Sequence, residues 1–290
     1  MPFTVDAHHH VWSLARGDYG WLTPGLAAIH RDFTLKDFNP LREQAGIAGS
    51  VLVQAAPTVA ETRFLLDVAA KSDGVVRGVV GWVDLAAPDA IPTLTRLARN
   101  PLLKGVRPML QDMGDDAWIL RAEVGRTLAA LPRLGLRFDA LVKPAQLPAL
   151  LTMIDRHPDL AVVIDHAGKP DIAGGAWEPW ARLLRAAAGS PRVRCKLSGL
   201  VTEAGPGWTI DTLRPYVDFL AEAFGPQRLM WGSDWPVVNL AGTYPSWYAA
   251  TVALTASWSV EDRAALMGGT ARRFYGLDEI RRRDDDLRWK

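Results

Sequence analysis

Two histidines separated by one residue, His8 and His10, are the first side chains in the sequence that could do chemistry. Residues 3–5 before them, Phe-Thr-Val, are aromatic or β-branched and predict a short strand that ends at the histidines. Side chains alternate across a strand, so His8 and His10 point to one side and His9 to the other. Because neutral imidazole nitrogens bind metal ions, the pair predicts part of a metal site. A purification tag would not directly follow such a strand.

Further polar side chains stand at the ends of later apolar segments. A carboxylate can act as a general base or a metal ligand, and a histidine or arginine can stabilise an oxyanion. The candidates at these segment ends are Arg107, Asp139, His166, Lys196 and Asp234. They can form one site only if the fold brings the segment ends together.

The order of the elements predicts such a fold. Strand patterns at 50–54, 75–85, 103–109, 136–142, 160–165, 193–197 and 228–231 follow the first strand. Helical patterns at 59–71, 91–99, 119–131, 146–156, 177–188 and 210–224 alternate with them, and further helices begin near 246 and 259. Eight strands that are apolar on both faces predict an α/β protein, a single-domain TIM (β/α)8 barrel over residues 1–290. No glycine-rich phosphate fingerprint follows the first strand, which disfavours an open doubly wound sheet.

In such a barrel the carboxyl ends of all strands meet at one mouth, so the polar residues at the strand ends are predicted to lie there together. The long connection at 18–33 is predicted to be an active-site loop, with Trp21 in contact with substrate. Lys196 has two interpretations that stay open: a salt bridge inside the barrel, with Asp139 as its partner, or a ligand contact. His9 and Cys195 are predicted to pack as structural residues. Residues 278–290 are predicted to form a charged tail.

Composition excludes several classes of function. The chain has 49% hydrophobic and 22% charged residues with a formal net charge of +1, and no basic stripe that would bind nucleic acid or a membrane surface. No apolar run approaches the roughly 20 residues of a membrane span. Its single cysteine allows no intrachain disulfide. These features predict a cytoplasmic enzyme that acts on a small molecule, and they leave a homo-oligomer open.

Three motifs resemble those of the amidohydrolase superfamily. They are Asp6-Ala7-His8-His9-His10 at strand one, Asp165-His166 at strand six and Gly232-Ser233-Asp234-Trp235-Pro236 at strand eight. Within it the chain resembles the sugar-lactone hydrolase branch of the L-fuconolactonase and L-rhamnonolactonase type, to which pyrone-dicarboxylate lactonase and sulfomuconolactonase are related. The residues 105–107, 196–200 and 269–276 strengthen this resemblance, which extends from about Thr4 to Leu277.

The resemblance implies a metal site, but two positions differ from those of many metal-dependent members of the superfamily. Many metal-dependent members have a histidine at the end of strand five, but residues 138–141 here are Phe-Asp-Ala-Leu. Strand four ends with Arg107 rather than with a lysine that could bridge two ions. We therefore expect one divalent ion, Zn²⁺, bound by His8, His10 and Asp234, with His166 as a further candidate ligand. A metal-free site stays open.

The expected activity is hydrolysis of a small sugar-acid lactone. Asp234 would activate water, and Arg107 and His166 would stabilise the oxyanion. Substrate contacts are expected from Arg107, Trp21, Lys196 and Trp235. The alternatives are a metal-dependent decarboxylase or amide hydrolase of the same superfamily, and a non-catalytic barrel that binds a sugar acid. The sequence does not name the lactone or its ring size.

Overall fold

The computed structural model describes residues 3–277 and has eight parallel strands in one sheet, in chain order. The strands β1 to β8 are Val5–His9, Gly49–Val53, Val76–Gly81, Leu103–Val106, Arg137–Ala140, Val162–Ile164, Val193–Leu197 and Leu229–Trp231. The chain after β8 is joined to β1 by hydrogen bonds from His10 N to Trp235 O (2.7 Å) and from Asp234 N to His8 O (2.8 Å). The sheet is thereby nearly closed, and the predicted TIM barrel is confirmed.

Helices follow most strands along the chain. The helices α1 to α11 are Leu35–Gln44, Val59–Ala70, Ala90–Leu97, Ala122–Leu128, Leu147–Arg156, Trp180–Ala188, Leu200–Ala204, Ile210–Phe224, Tyr244–Leu254, Val260–Ala264 and Thr270–Tyr275. Several begin at a threonine or serine whose side-chain oxygen accepts a backbone N–H of the first turn, as Thr58 and Thr209 do. Within residues 3–277, no helix combines the length and apolar character needed to cross a bilayer.

Several strand boundaries differ from the sequence prediction: β1 extends further along the chain, whereas β3 and β4 end earlier. Strand β1 runs from Val5 to His9, so His8 and His9 lie within the strand rather than after it. Strands β3 and β4 end at Gly81 and Val106, before the predicted ends at 85 and 109. The apolar runs continue past these points because the chain beyond each strand is also buried, so hydrophobicity alone does not mark the strand end.

Helix α11 closes the floor of the barrel. Its residues Ala271, Phe274 and Tyr275 pack with Val5 and Val51, inward-facing residues of β1 and β2, in one buried apolar cluster. The contact needs a close approach of the chain before α11, since a Cβ at Gly268 would lie 2.7 Å from the carbonyl oxygen of Phe3. The polar residues discussed below therefore lie between this floor and the barrel mouth.

The connection from β1 to α1 contains the predicted active-site loop and is fastened to α2. Glu61, in the first turn of α2, accepts hydrogen bonds from Tyr19 Oη (2.7 Å) and from Ala55 N (3.2 Å). Asp18 in turn accepts a hydrogen bond from Thr58 Oγ1 (2.9 Å). These contacts hold residues 18–33 against the barrel mouth. The charged tail predicted for residues 278–290 lies outside the described residues.

The buried anchor Glu61 predicts a pH-dependent contribution to stability. Burial raises the pKa of Glu61 from its usual 4.5 to about 7, so the folded protein holds this proton more tightly than the unfolded chain. The stabilisation is complete below about pH 4.5 and is lost as the pH rises through about 7. Each unit of pKa shift corresponds to about 1.4 kcal/mol.

We expect Glu61→Gln to remove this dependence. The drop in melting temperature from pH 5 to pH 8, measured by scanning calorimetry, should be about 2–6 °C smaller in the variant than in the wild type. Glu43→Gln, at a side chain that is 63% exposed, serves as the control and should match the wild type. Equal drops in all three proteins would contradict the assignment to Glu61.

Candidate active site

Alternation along β1 separates the three histidines as predicted. His8 and His10 point into the barrel, with their Nε2 atoms 3.2 Å apart. His9 points outward, where its Nε2 lies 2.9 Å from Ser50 Oγ and its ring stacks on Phe38 at 3.9 Å between centroids. All three side chains are buried. His9 is thus part of the packing between β1 and α1, as the sequence predicted.

Asp234 meets the two inward histidines across the β8–β1 seam. Its Oδ1 lies 3.7 Å from His8 Nε2 and 3.4 Å from His10 Nε2. The backbone of Asp234 adopts φ = 55°, in the left-handed region that side-chain-bearing residues rarely occupy. This local strain turns the carboxylate toward the histidines directly after the strand, and such strain is concentrated at functional sites.

Asp6, to which the sequence interpretation gave no role, ties the same seam together. Its Oδ1 accepts hydrogen bonds from Ser233 N (2.9 Å) and from His8 N (3.1 Å). One buried carboxylate thus fixes the backbone on both sides of the seam, next to His8 and Asp234. The sequence does not signal this role, because the register of β1 shifts between Asp6 and His9 and simple alternation therefore does not assign the face of Asp6.

Arg107 extends from the end of β4 toward this group. Its Nη1 lies 3.3 Å from His8 Nε2 and 3.3 Å from Asp165 Oδ2. Its Nη2 donates to the carbonyl oxygen of Gln54, whose side chain in turn donates to the Arg107 carbonyl oxygen at 2.8 Å. Its Nε is buried without a hydrogen-bond partner among the described residues. A donor in that state is available to a ligand.

His166 is presented by an unusual turn after β6. Residues 166–169 all have φ between 51° and 67°, a left-handed turn in which only Gly168 is free of steric penalty. Trp180 Nε1 donates to the carbonyl oxygen of Ala167 at 2.7 Å and supports the turn. Gly199 leaves room for it, because a Cβ there would lie 2.7 Å from the His166 ring. As a result, His166 Nε2 lies 3.9 Å from Asp234 Oδ1.

These side chains face a cavity of about 280 Å³ at the barrel mouth. Its polar wall includes His10, Arg107, His166 and Asp234. Its apolar wall includes Trp21, Met109, Leu141 and Val237. Trp21 is fixed by a hydrogen bond from its Nε1 to the carbonyl oxygen of Ala55 at 2.7 Å. The cavity is smaller than the pockets that hold drug-sized ligands, so it suits a compact molecule.

Two predicted substrate contacts are not in the wall of this cavity. Lys196 is fully buried beneath it, with its Nζ 2.6 Å from Asp139 Oδ2 and 2.9 Å from Asp165 Oδ1. This is the interior salt bridge that the sequence left open as one interpretation. Trp235 is buried between Phe33 and Phe38, with ring centroids at 5.2 and 5.5 Å. Both residues support the site from behind in this structure.

Electrostatics favour an ionised Asp234 among neutral histidines. Burial would raise the pKa of Asp234, but His166 and the hydrogen bond from His10 outweigh it, so the pKa lies below its usual 3.8. Burial lowers the pKa of His166 to about 4, although Asp234 and Asp165 oppose the shift. Burial and then the charge of Lys196 lower the pKa of His8 well below 6.5. At neutral pH the group therefore offers the carboxylate of Asp234 beside the uncharged imidazoles of His8 and His166.

The donor set fits one divalent ion. A tetrahedral zinc ion with bonds of about 2.0–2.1 Å holds its ligand atoms about 3.3 Å apart, and the Nε2 atoms of His8 and His10 and Oδ1 of Asp234 are 3.2, 3.4 and 3.7 Å apart. His10 Nδ1 lies 2.8 Å from the carbonyl oxygen of Val53 and must donate to it, which leaves its Nε2 as the nitrogen that can bind an ion. His8 presents a lone pair at Nε2 only when its proton is on Nδ1, which faces Asp165 Oδ1 at 3.7 Å.

Comparison with known proteins gives consistent results. The family model described as Amidohydrolase matches residues 5–277. An L-fucono-1,5-lactonase of Burkholderia ambifaria is 45% identical over 282 residues, covering 96% of this chain and 97% of the relative. A second L-fucono-1,5-lactonase, of Burkholderia multivorans, is 38% identical, covering 95% and 96%. The crystal structure of a Burkholderia multivorans amidohydrolase with bound zinc has a TM-score of 0.90, 38% identity and coverage of 95% and 99%.

The ligand geometry predicts the effect of removing the two histidines. Titration of the metal-stripped protein with Zn²⁺, followed by calorimetry, should give about one tight site in the wild type and none in the His8→Ala/His10→Ala variant. His30→Ala, in the β1–α1 connection, is the control and should bind like the wild type. Retention of the site in the double variant, with an unchanged circular dichroism spectrum, would rule out these ligands.

The position of Trp21 in the cavity wall predicts a defect in substrate binding. Trp21→Ala should raise KM about tenfold or more, with a small change in melting temperature, because an aromatic wall of the cavity is lost while the barrel remains. Trp208→Ala is a matched control, since Trp208 is also partly buried and donates its Nε1 to a carbonyl oxygen, that of Ala241. If both variants raise KM equally, Trp21 has no specific role.

Proposed function

The chain belongs to the amidohydrolase family, and from that premise we propose that it hydrolyses a small sugar-acid lactone of the L-fuconolactone type. The observation that carries this proposal is that the buried carboxylate of Asp234 faces His10, His166 and Arg107 across one small cavity. That arrangement supplies a base for water and donors for an oxyanion, the two requirements of ester hydrolysis. The names of the two L-fucono-1,5-lactonases cited above support the same reaction.

In the first step Asp234 takes a proton from water. The three imidazole nitrogens approach its Oδ1, so we assign the water to Oδ2. The oxygen of this water forms a bond to the lactone carbonyl carbon, and the carbonyl electron pair moves onto its oxygen. Arg107, with its unpartnered Nε–H, and His166 are the donors that we assign to this oxyanion.

In the second step the oxyanion reforms the carbonyl and the ring C–O bond breaks. The proton held by Asp234 passes to the departing alkoxide, so the carboxylate is regenerated and the product is an open-chain sugar acid. One acid–base group is therefore sufficient, because the proton taken from water is the proton that the leaving group needs. His8, His10 and Asp234 would hold one divalent ion, for which we propose zinc, and when bound it would supply Lewis acidity.

The cavity wall favours a neutral substrate over a dicarboxylate. Its two cationic side chains are already paired: Arg107 with Asp165 at 3.3 Å, and Lys169 with Glu203 at 2.6 Å. Asp112 adds a negative charge to the same wall. The apolar side chains of Met109 and Leu141 suit a methyl group on the sugar, and the polar wall suits its hydroxyl groups. We propose that such a lactone is consumed in the cytoplasm.

A hydrolysis assay tests the proposal. The purified protein is mixed with L-fucono-1,5-lactone, and separately with 2-pyrone-4,6-dicarboxylate, in weak buffer with a pH-indicator dye. Because δ-lactones open without a catalyst, the rate is read against buffer alone. We expect acid release above background with the sugar lactone and much less with the dicarboxylate. Tight binding of the sugar acid with no rate above background would favour a non-catalytic binding barrel.

The base assignment makes a quantitative prediction. Asp234→Asn keeps the size of the side chain and most of its hydrogen bonding but cannot accept a proton from water. Loss of a general base costs about 10²–10⁴ in rate, so kcat should fall at least about 100-fold while the protein still binds the sugar-acid product in calorimetry. Asp112→Asn, in the same wall, is the control for charge. Near-wild-type turnover in Asp234→Asn would exclude this mechanism.

A further inference from the structure

A second cavity lies at the opposite end of the barrel from the candidate active site. It has a volume of about 500 Å³ and lies beside the N-terminal ends of β5, β6 and β7. Four arginines line it, and we call it the arginine cleft: Arg137, Arg192, Arg194 and Arg273. Among the described residues, Asp159 is the one carboxylate in the same wall. The proposed lactonase reaction takes place at the other end of the strands and does not use this cavity.

Two of these arginines are fixed by backbone carbonyl groups. Arg137, the first residue of β5, donates from Nε to the carbonyl oxygen of Phe274 at 2.7 Å and from Nη1 to that of Gly135. Arg194, in β7, donates from Nη1 to the carbonyl oxygen of Pro191 at 2.6 Å. Both arginines are half-buried. Their Nη2 groups donate to no described residue, so these N–H groups are available to a ligand.

The positive charge of the arginine cleft is not balanced by carboxylates. Among the described residues, the only carboxylate within 4.0 Å of the four guanidinium groups is that of Asp159, which lies 3.8 Å from Arg192 and is 86% exposed. A surface pair of this kind contributes little. Burial and then the charges of Arg228 and Arg273 lower the pKa of Arg194. The whole chain has a net charge of only +1, so the cluster is a local feature.

The lining of the cleft favours a phosphate group as its ligand. Guanidinium groups bind phosphate oxygens through paired, charge-assisted hydrogen bonds. A multiply charged anion placed between Arg194 and Arg273 also offsets the repulsion between them. The buried apolar side chains of Leu136 and Phe274 complete the wall. The volume exceeds that of a single phosphate and leaves room for a second phosphate or a small organic group.

We propose that the arginine cleft binds a phosphate-bearing anion, either inorganic pyrophosphate or a small organic phosphate. The anion bridges β5, β7 and α11, because Arg137, Arg194 and Arg273 belong to these elements. A ligand that binds only the folded protein raises its stability. The inference goes beyond the proposed function and does not rest on it, since the two cavities share no lining residue in the part of the chain that the structure describes.

Isothermal titration calorimetry tests the site with two probes, inorganic pyrophosphate and glucose 6-phosphate. The titration uses the full-length protein, so that its own carboxylates compete with the probe. The buffer contains about 0.15 M NaCl, at which attraction between distant exposed charges is largely screened. We expect about one site per chain for at least one probe. The probe that binds more tightly identifies the source of the phosphate group.

A double variant locates the binding. Arg192→Gln/Arg273→Gln removes two exposed guanidinium groups from the cleft and leaves Arg137 and Arg194 in place. Affinity should fall at least about tenfold, since the loss of one hydrogen bond to a charged group has about that effect or more. Arg63→Gln/Arg99→Gln is the matched control, because it removes the same charge from exposed positions outside the cleft. Its affinity should stay within about twofold of the wild type, because distant charges are screened.

The melting temperature provides a second measurement. A saturating concentration of the bound probe should raise it in the wild type and in the control, but not in Arg192→Gln/Arg273→Gln. Failure of both probes to bind the wild type would overturn the proposal. An equal loss of affinity in the control would overturn it as well and would indicate an adventitious ion only, and so would unchanged affinity in the cleft variant. Absence of lactone hydrolysis together with the expected binding would overturn the proposed function and leave the arginine cleft in place.

Discussion

The balance of charge inside the barrel is the constraint on which the site depends. Lys196 lies between Asp139 and Asp165, and Arg107 pairs with Asp165 from the other side. Two positive and two negative groups thus share a space that packing keeps largely free of water. Removing one partner of such a buried pair typically costs about 3–5 kcal/mol, because the remaining charge has no solvent to replace it. The pairs consequently fix where the ends of β4, β5, β6 and β7 stand relative to one another.

Much of the fold could be predicted because parallel strands and helices leave separate periodic signals. The alternation of apolar strands with amphipathic helices predicted the barrel. For the helix Ile210–Phe224 it also predicted both boundaries. Helix α1, Leu35–Gln44, gave no such signal: it is mostly polar, it buries only Phe38 and it contains Pro40. Strand ends were placed too late where buried chain continues past the last ladder hydrogen bond. A strand ends where its backbone pairing with the neighbouring strand stops, and the sequence of one strand alone does not show where that is.

For the candidate site, the sequence identified which residues stand at the mouth but not which way each one turns. Asp234, His166 and Arg107 do meet there. Trp235 follows Asp234 directly, yet it packs behind the cavity wall, between Phe33 and Phe38. Asp6 was overlooked because its role is to accept backbone N–H groups from two distant segments. Such contacts form only when the chain folds, so no local sequence pattern predicts them.

The floor helix has a consequence for how the enzyme is made. Ribosomes synthesise a chain from its N-terminus, so all eight strands leave the ribosome before Thr270–Tyr275 does. Until then the lower ends of the strands are open to water, and Asp139 lacks the hydroxyl of Tyr275. A nascent barrel at this stage exposes the apolar surface that chaperones and proteases recognise. A chain that ends before Thr270 therefore lacks both the cover over this apolar surface and the hydroxyl partner of Asp139.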